Sequence, residues 1–373
     1  MSPVDPTVAA ATGRTPGYDV ARAFAVLGMV LVNFHGMVET DLQLFDLTAV
    51  VMDELEGRSA ALFVLLAGLG VSLRSRRARL EGGPALARER VALLRRALAL
   101  LGLGILNLHL WEWDILHVYG LYLTFAAGMI GASNRALFGV GSLVFGAAVA
   151  LRLVWMEPVE PPFWSAPGMF HSIVYSGNYP AFPWLCFLLL GLGLGRLDLR
   201  QSGLRRRILA ASGLVIVVAE LAARLAARWG TVEGLDEGVV QWMSTWPRPP
   251  GPFFVLSSGA VAVWVTAMCV EWGESSVAQR FILPLTATGQ LALSLYLAHE
   301  VAILIPLQHD WFVEAPLEGV VLWALVFFGF GVAGATWWRR RNRQGPFEAI
   351  LRQISARSQP AWGGGLMERT AEK

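Results

Sequence analysis

The sequence predicts an all-α integral membrane protein, a bundle of about ten transmembrane helices. Hydrophobic residues make up 55% of the 373 residues, and charged residues make up only 16%, against about 25% in soluble globular proteins. Apolar runs of roughly 20 residues recur along the whole chain, and each is long enough to cross a bilayer core of about 30 Å. Because no water satisfies backbone polar groups in lipid, such runs form helices.

The ten predicted spans lie at 18–38, 58–74, 91–110, 115–132, 136–156, 181–196, 207–229, 252–272, 282–307 and 317–338. Segments 156–180 and 230–251 are rich in proline and aromatic residues and are too polar to span, so we expect structured loops or short helices there. The chain therefore divides into an N-terminal segment at 1–17, a transmembrane bundle at 18–338 and a basic tail at 339–373.

Clusters of arginine orient the bundle, because positively charged residues concentrate in cytoplasmic loops. Loop 74–96 carries eight arginines, the loop after the sixth span carries five, and the tail opens with four. Ten spans with both termini cytoplasmic place all three clusters on one face. The opposite face then receives the acidic first loop, both proline-rich loops and most of the histidines.

Polar residues of the first span fall on one stripe of the helix. Asp19 and Arg22 are three residues apart, and Asn33 follows Arg22 by eleven residues, which is about three turns. Polar residues in a span face the bundle interior or a cavity. We therefore expect a buried polar path that begins at Asp19 on the cytoplasmic side and ends at Asn33. The alternative is that Asp19 and Arg22 only anchor the helix among the headgroups.

The hairpin between the third and fourth spans, HLWEWDILH, is the second polar cluster. Asp114 and His117 are three residues apart at the start of the fourth span, where a carboxylate can orient an imidazole and raise its basicity. An oriented histidine is what general-base catalysis requires. The alternative is that Asp114 caps the helix N-terminus. His109, at the start of the hairpin, is a weaker candidate.

The ninth span carries Tyr296, His299 and Glu300 within about one helical turn. A charged residue inside an apolar helix is a functional candidate. The outer interface is close, however, and it would allow Glu300 to face water.

Other features of the spans favour structural roles. Glu220 and Arg224 on the seventh span have the i,i+4 spacing of a buried ion pair. Glycines at 68–70 and 191–195 lie inside apolar runs, so they indicate close helix packing rather than a nucleotide-binding loop. We expect no metal site, because no metal-ligand spacing is present, and no nucleic-acid partner.

Five stretches of the chain follow one another in a characteristic order. The first is Asp-x-x-Arg-x-x-Ala from Asp19, followed by an apolar run and Val-Asn. The other four are ALFVLLAGLGVSL (61–73), DILHVYGLYL (114–123), PWLCFLLLGLGLGR (183–196) and TGQLALSLYLAHE (288–300). As a set they resemble the heparan-α-glucosaminide N-acetyltransferase family and the related YeiB-like bacterial proteins of the transmembrane acyltransferase superfamily. The tail RRNRQGPFEAILR (340–352) resembles the YeiB-like ending.

Two positions depart from the family pattern. The family usually has glycine after the arginine, where this chain has Ala23. The acetyltransferase branch uses a histidine in the loop after the first span, further along than His35, and Leu44 stands at about that spacing. His35 is the only histidine between the first two spans, and it fills the role only if the loop folds back.

The resemblance implies a membrane-embedded acyltransferase of the bacterial cytoplasmic (inner) membrane. It would move an acyl group, most simply acetyl, from cytoplasmic acyl-CoA (acetyl-CoA) to a hydroxyl or amine acceptor at the outer face, either a small molecule or a glycan or other envelope component. His117, oriented by Asp114, or His35 would be the base, and Asn33 or Arg22 would stabilise the oxyanion. The residues predicted to bind donor or acceptor are Asp19, Arg22, Asn33, His109, Tyr296, His299 and Glu300.

Two other functions fit the same pattern. A transporter or flippase would use the polar path of the first span together with His299 and Glu300. A scaffold that has lost catalysis would explain the leucine at position 44. Membrane lipids surround the bundle under all three hypotheses, and family analogy leaves a homodimer open.

Overall fold

The computed structural model describes residues 15–36, 47–154, 162–275, 279–309 and 316–356. These residues are almost entirely helical and form no strand, which confirms an all-α protein. The acidic residues predicted for the start of the first loop, Leu44 and the ends of the chain lie outside these ranges. The helices are α1 (Pro16–His35), α2 (Leu47–Leu55), α3 (Arg58–Arg74), α4 (Arg76–Glu81), α5 (Gly83–Asn107), α6 (Leu116–Met129), α7 (Asn134–Val154), α8 (Ala166–His171), α9 (Ala181–Leu194), α10 (Ser202–Val232), α11 (Glu237–Trp242), α12 (Pro252–Glu274), α13 (Gln279–Gln290), α14 (Ala292–Gln308), α15 (Leu317–Arg341) and α16 (Pro346–Ala356).

Within the described ranges, six helical stretches are long and apolar enough to cross a membrane. Two bent pairs raise the number to eight: residues 166–176 with α9, at 53°, and residues 280–290 with α14, at 77°. The chain is thus a multi-pass membrane protein. The other two predicted spans correspond to α5 and α6, and ten spans remain a prediction because arginines interrupt α5 and α6 has only 14 residues. The six stretches are Pro16–His35, Thr48–Arg74, Asn134–Val154, Ser202–Val232, Pro252–Glu274 and Leu317–Arg341.

Helix α1 lies at the centre of the bundle. In its most apolar window 78% of the residues are buried inside the protein, whereas α7, α10 and α15 bury only 11%, 17% and 17% of theirs. The exposed apolar side chains of these three helices are suited to contact lipid. Polar residues of α1 are therefore held within the protein, as the sequence predicts.

Glycines allow α3 and α9 to approach closely. A Cβ atom added to Gly191 would lie 1.9 Å from the carbonyl oxygen of Leu65, and one added to Gly68 would lie 2.1 Å from that of Leu188. Only a hydrogen fits at these two positions, which confirms close helix packing as their role. Gly193 has nothing within 4 Å of its would-be Cβ and does not share this role.

The proline-rich segments contain short helices. The first segment contains α8 and a π-helical turn at Ser172–Ser176 within residues 162–180. The second segment, residues 230–251, contains α11. Short helices are one of the two alternatives expected for these segments, although residues 166–176 also belong to the bent pair that is apolar enough to span together with α9.

The predicted ion pair between Glu220 and Arg224 is wrong. The Glu220 carboxylate instead accepts hydrogen bonds from Arg58 Nη2 at 2.7 Å, Ser257 Oγ at 2.6 Å and Thr245 Oγ1 at 3.2 Å. Arg224 is exposed. Three partners from other elements outcompete the i,i+4 neighbour, because they lie on the buried side of α10.

The helices alternate in direction, so the bundle has two distinct ends. We call the end where α1 begins and α3 finishes the arginine end, and the end that carries residues 108–115 the hairpin end. The arginine pattern predicts that the arginine end is cytoplasmic.

Candidate active site

A cavity of about 860 Å³ opens at the arginine end. Its walls come from the first turns of α1, the last turns of α3, one face of α5, the link between α9 and α10, and the turn between α15 and α16. Eight arginines line it, against three acidic side chains, Asp19, Asp198 and Glu348. The lining therefore carries a net positive charge. The arginines are Arg22, Arg74, Arg76, Arg79, Arg96, Arg196, Arg200 and Arg343.

Asp19 and Arg22 form an ion pair in this cavity. Asp19 is 1% exposed, and its other oxygen accepts a hydrogen bond from Gln290 Nε2 at 3.0 Å. Asp19 is therefore buried and Arg22 is half-buried, and both line the cavity in addition to any contact with the headgroups. Arg74 is likewise paired, with Glu89 at 2.7 Å.

Arg196 is the arginine of the cavity with the clearest spare donors. Its Nη1 atom donates to Asn134 Oδ1 at 2.6 Å, while its Nε and Nη2 atoms are buried and have no hydrogen-bond partner among the described residues. Burial and the nearby charge of Arg79 lower the pKa of the Arg196 guanidinium. Burial and Arg76 do the same for Arg79. Neither Arg196 nor Arg79 forms an ion pair with a carboxylate among the described residues, and unpaired arginines in a cavity favour an anionic ligand.

A second cavity, of about 420 Å³, lies at the hairpin end. It brings together His117 and His171, and Ser176 Oγ lies 2.8 Å from Nδ1 of His171. The aromatic side chains Trp113 and Trp164 line it as well. Polar groups converge here beside aromatic rings, as in many small-molecule sites.

Asp114 orients His117 within the second cavity. Oδ2 of Asp114 accepts the backbone N–H of His117 at 3.0 Å and lies 3.2 Å from Nδ1 of the imidazole. A carboxylate oxygen accepts, so Nδ1 carries the hydrogen and Nε2 is the nitrogen able to take a proton. Asp114 therefore fills both roles considered for it: its carboxylate caps the start of α6 and orients the imidazole of His117.

Asn107 connects Asp114 to Glu300. The Asn107 amide nitrogen donates to Asp114 Oδ1 at 2.9 Å and to Glu300 Oε1 at 3.0 Å. The Tyr296 hydroxyl also donates to Asp114 Oδ1, at 3.4 Å. Glu300 is 3% exposed, so it faces this network and not water.

Asn33 and His299 extend the network across the bundle. The Asn33 amide nitrogen lies 2.8 Å from His299 Nε2, and Nδ1 of the same ring contacts the backbone oxygen of Tyr296. That oxygen can only accept, so His299 carries its hydrogen on Nδ1 and accepts from Asn33 through Nε2. Residues of α1, α5, α6 and α14 thus share one buried polar network.

His35 and His109 are not in this network. His35 ends α1, is partly exposed and forms no hydrogen bond with the described residues. His109 is exposed; its Nδ1 lies 3.2 Å from the Ile105 carbonyl oxygen, and its ring packs against Trp164 at a centroid distance of 4.8 Å. The geometry favours His117 over either as a base.

The polar path expected along α1 is interrupted. Asp19 and Arg22 line the arginine-end cavity, His117 lines the hairpin-end cavity, and Asn33 lines neither. The first turns of α6 stand between the cavities, with Leu116 and Tyr119 on one side and His117 on the other. A continuous path would need these turns to move.

Sequence reasoning missed Asn107 as the bridge of the network and Arg196 as an arginine with spare donors. Asn107 is a polar residue at the end of an apolar run, which is a usable signal. Nothing in the sequence distinguishes Arg196 from the other arginines, because its free donors depend on where Asn134 lies. No group of three potential metal ligands comes together in the part of the chain that the structure describes.

These features define a polytopic α-helical membrane protein with a cavity at the arginine end, a cavity at the hairpin end and a buried polar network next to the turns of α6 that separate them. The chain belongs to the heparan-α-glucosaminide N-acetyltransferase catalytic family, whose model matches residues 14–224. A second family model, described as a protein of unknown function (DUF418), matches residues 194–358. Among curated proteins, none matches the chain. The two family matches confirm the resemblance, and the polar network joins residues from both matched regions.

Proposed function

We propose that this protein is a membrane-embedded acyltransferase that moves an acyl group, most simply acetyl, from cytoplasmic acyl-CoA to a hydroxyl or amine acceptor at the outer face. The observation that carries the proposal is the pairing of an arginine-lined cavity at one end with an oriented histidine at the other. In this proposal both termini are cytoplasmic, the membrane is the bacterial inner membrane, and the acceptor is a small molecule, a glycan or another envelope component.

The arginine-end cavity supports binding of the coenzyme A part of the donor. Its eight arginines outnumber the three carboxylates of its lining even though Arg74 is paired with Glu89, and two guanidinium nitrogens of Arg196 have no partner among the described residues. Guanidinium groups match the geometry of phosphate oxygens and bind them through paired hydrogen bonds. Its volume of about 860 Å³ falls within the range of about 300–1,000 Å³ found for ligand cavities.

His117 supports base catalysis at the hairpin end. Its Nε2 atom takes the proton of the acceptor hydroxyl or amine while the acceptor oxygen or nitrogen attacks the thioester carbonyl carbon. The carbon–sulfur bond then breaks, and the leaving coenzyme A thiolate takes the proton from the His117 imidazolium, which restores the neutral base. In this proposal Arg22, which lines the donor-side cavity, stabilises the oxyanion that forms before this bond breaks. Asn33 is the less favoured of the two candidates, because it lines neither cavity.

Acyl transfer in this proposal occurs where the cavities approach each other, at the first turns of α6. Leu116 and Tyr119 face the donor side and His117 faces the acceptor side. Movement of these turns would let the thioester reach His117, while the rest of coenzyme A stays with the arginines.

The test uses purified protein in proteoliposomes with acetyl-labelled acetyl-CoA. Glucosamine is the probe acceptor, and glucose, which has hydroxyls but no amine, tells an amine acceptor from a hydroxyl acceptor. We expect label on the sugar together with an equal amount of free coenzyme A thiol. Transport of unmodified sugar without thiol release would favour the transporter or flippase, and absence of coenzyme A binding by calorimetry would overturn the donor assignment.

A further inference from the structure

Glu348, in the first turn of α16, holds the beginning of α14. Its Oε1 atom accepts the backbone N–H groups of Leu293 at 2.9 Å and Ser294 at 3.1 Å, and its Oε2 atom accepts the Ser294 hydroxyl at 2.6 Å. The first N–H groups of an α-helix have no partner within the helix. Glu348 therefore caps α14 from a different helix, and its negative charge suits a helix N-terminus.

The capped end of α14 is one side of a sharp bend. α13 and α14 meet at 77° with a break at Leu291. On the α13 side, Gln290 donates to Asp19, and a Cβ atom added to Gly289 would lie 1.7 Å from the Asp19 carbonyl oxygen. The bend is thus fixed by α1 on one side and by Glu348 on the other.

The residues of the polar network follow the cap closely along α14. Tyr296, His299 and Glu300 come three, six and seven residues after Leu293. Because an α-helix is stiff over two turns, the position of its first turn sets where these three side chains meet Asp114, Asn33 and Asn107.

We propose that Glu348 is a positioning residue for acyl transfer. By capping α14 it keeps Tyr296 against Asp114, and His299 against Asn33, so the C-terminal helix α16 is part of the active-site scaffold. This inference rests on the proposed function. Glu348 also lines the arginine-end cavity, so a direct effect of its charge on the donor has to be separated from capping.

The substitutions E348Q and E348A separate these two effects. Glutamine keeps a carbonyl oxygen for both N–H groups and an amide that donates to the Ser294 hydroxyl, whereas alanine removes the cap. We expect E348A to lower kcat by about 10²-fold, the scale of a misplacement of roughly 1 Å, with little change in KM for acetyl-CoA. E348Q keeps most of the activity. E318A is the matched control, since Glu318 is an exposed acidic residue in the first turn of α15.

Equal loss in E348Q and E348A, or an effect confined to KM, would overturn the capping role and assign Glu348 to donor binding. If E348A does not fold, S294A is a milder test, because it removes only the hydrogen bond from the Ser294 hydroxyl to Glu348. Full activity of S294A, together with wild-type backbone amide exchange, would then count against the proposal.

Backbone amide exchange tests the inference without any activity measurement. Peptides covering residues 291–300 exchange faster in E348A and remain close to wild type in E348Q and E318A. Unchanged exchange in E348A would refute capping even in a fully active enzyme. Faster exchange in a protein whose wild type consumes no acetyl-CoA would leave the cap in place and refute only the acyltransferase.

Discussion

The carboxylate of Asp114 binds both the backbone and the imidazole of His117. Oδ2 accepts the backbone N–H at 3.0 Å and lies 3.2 Å from Nδ1 of the ring. The contact therefore fixes the start of α6 and the tautomer of the histidine together. Since α6 also separates the two cavities, this pair lies where the proposed donor and acceptor would meet.

Replacing His117 by alanine removes the proposed base. We expect the rate of acyl transfer to fall by about 10²- to 10⁴-fold, the usual contribution of general-base catalysis. H35A and H109A are the matched controls, because His35 is outside the network and His109 is exposed. Initial rates of thiol release in proteoliposomes measure the effect. Loss of activity in H35A with activity retained in H117A would transfer the role of base to His35.

Replacing Asp114 by asparagine leaves a helix cap but removes the anion. The neutral amide orients the His117 ring poorly and cannot stabilise the imidazolium formed during catalysis, so kcat falls by about 10²-fold or more. Asp236 provides the matched control, since its side chain caps α11 by accepting from the backbone N–H of Gly238 at 2.8 Å. Thermal midpoints measured in detergent distinguish a lost cap from lost catalysis. A kcat for D114N equal to that of D236N would contradict this role.

Replacing Arg196 by glutamine weakens donor binding. The change removes the charged guanidinium that would donate hydrogen bonds to the phosphates of coenzyme A. A hydrogen bond that involves a charged group contributes about 1.5–3 kcal/mol. We therefore expect Kd for coenzyme A to rise about 10- to 100-fold. R206Q is the control, because Arg206 is exposed on the same part of the chain and does not line the cavity. Calorimetric titration with coenzyme A at two salt concentrations gives both Kd values. An equal effect of R206Q would indicate general attraction and not a binding site.

Replacing Gly191 by alanine forces α3 and α9 apart. The new Cβ atom would lie 1.9 Å from the Leu65 carbonyl oxygen, and overpacking of this kind costs about 1–3 kcal/mol. The neighbouring G193A has open space and should be neutral or slightly stabilising, since alanine favours helix. Thermal unfolding of the two variants in one detergent makes the comparison. Equal midpoints would show that the contact between α3 and α9 is not a determinant of stability.

Contacts set by local spacing could be predicted from the sequence. Asp19 with Arg22, and Asp114 with His117, are pairs three residues apart, and helix geometry alone brings such pairs together. Glu220 and Arg224 satisfy the same rule and yet do not pair, because Arg58 and Ser257 reach the carboxylate from other helices. Local spacing therefore allows a contact but does not guarantee it.

The sequence by itself determined the membrane-spanning α-helical class, the positions of most helices and the family, because hydrophobic run length and ordered motifs are properties of the chain. Only the tertiary structure decided that Asn33 meets His299 across 266 residues and that Asn107 meets Glu300 across 193. It also decided that Asp19 and Arg22 line one cavity and His117 another, so that no single polar path follows α1. The physical reason is that such contacts depend on how whole helices pack, and helix packing is set by side-chain shape summed over the entire bundle.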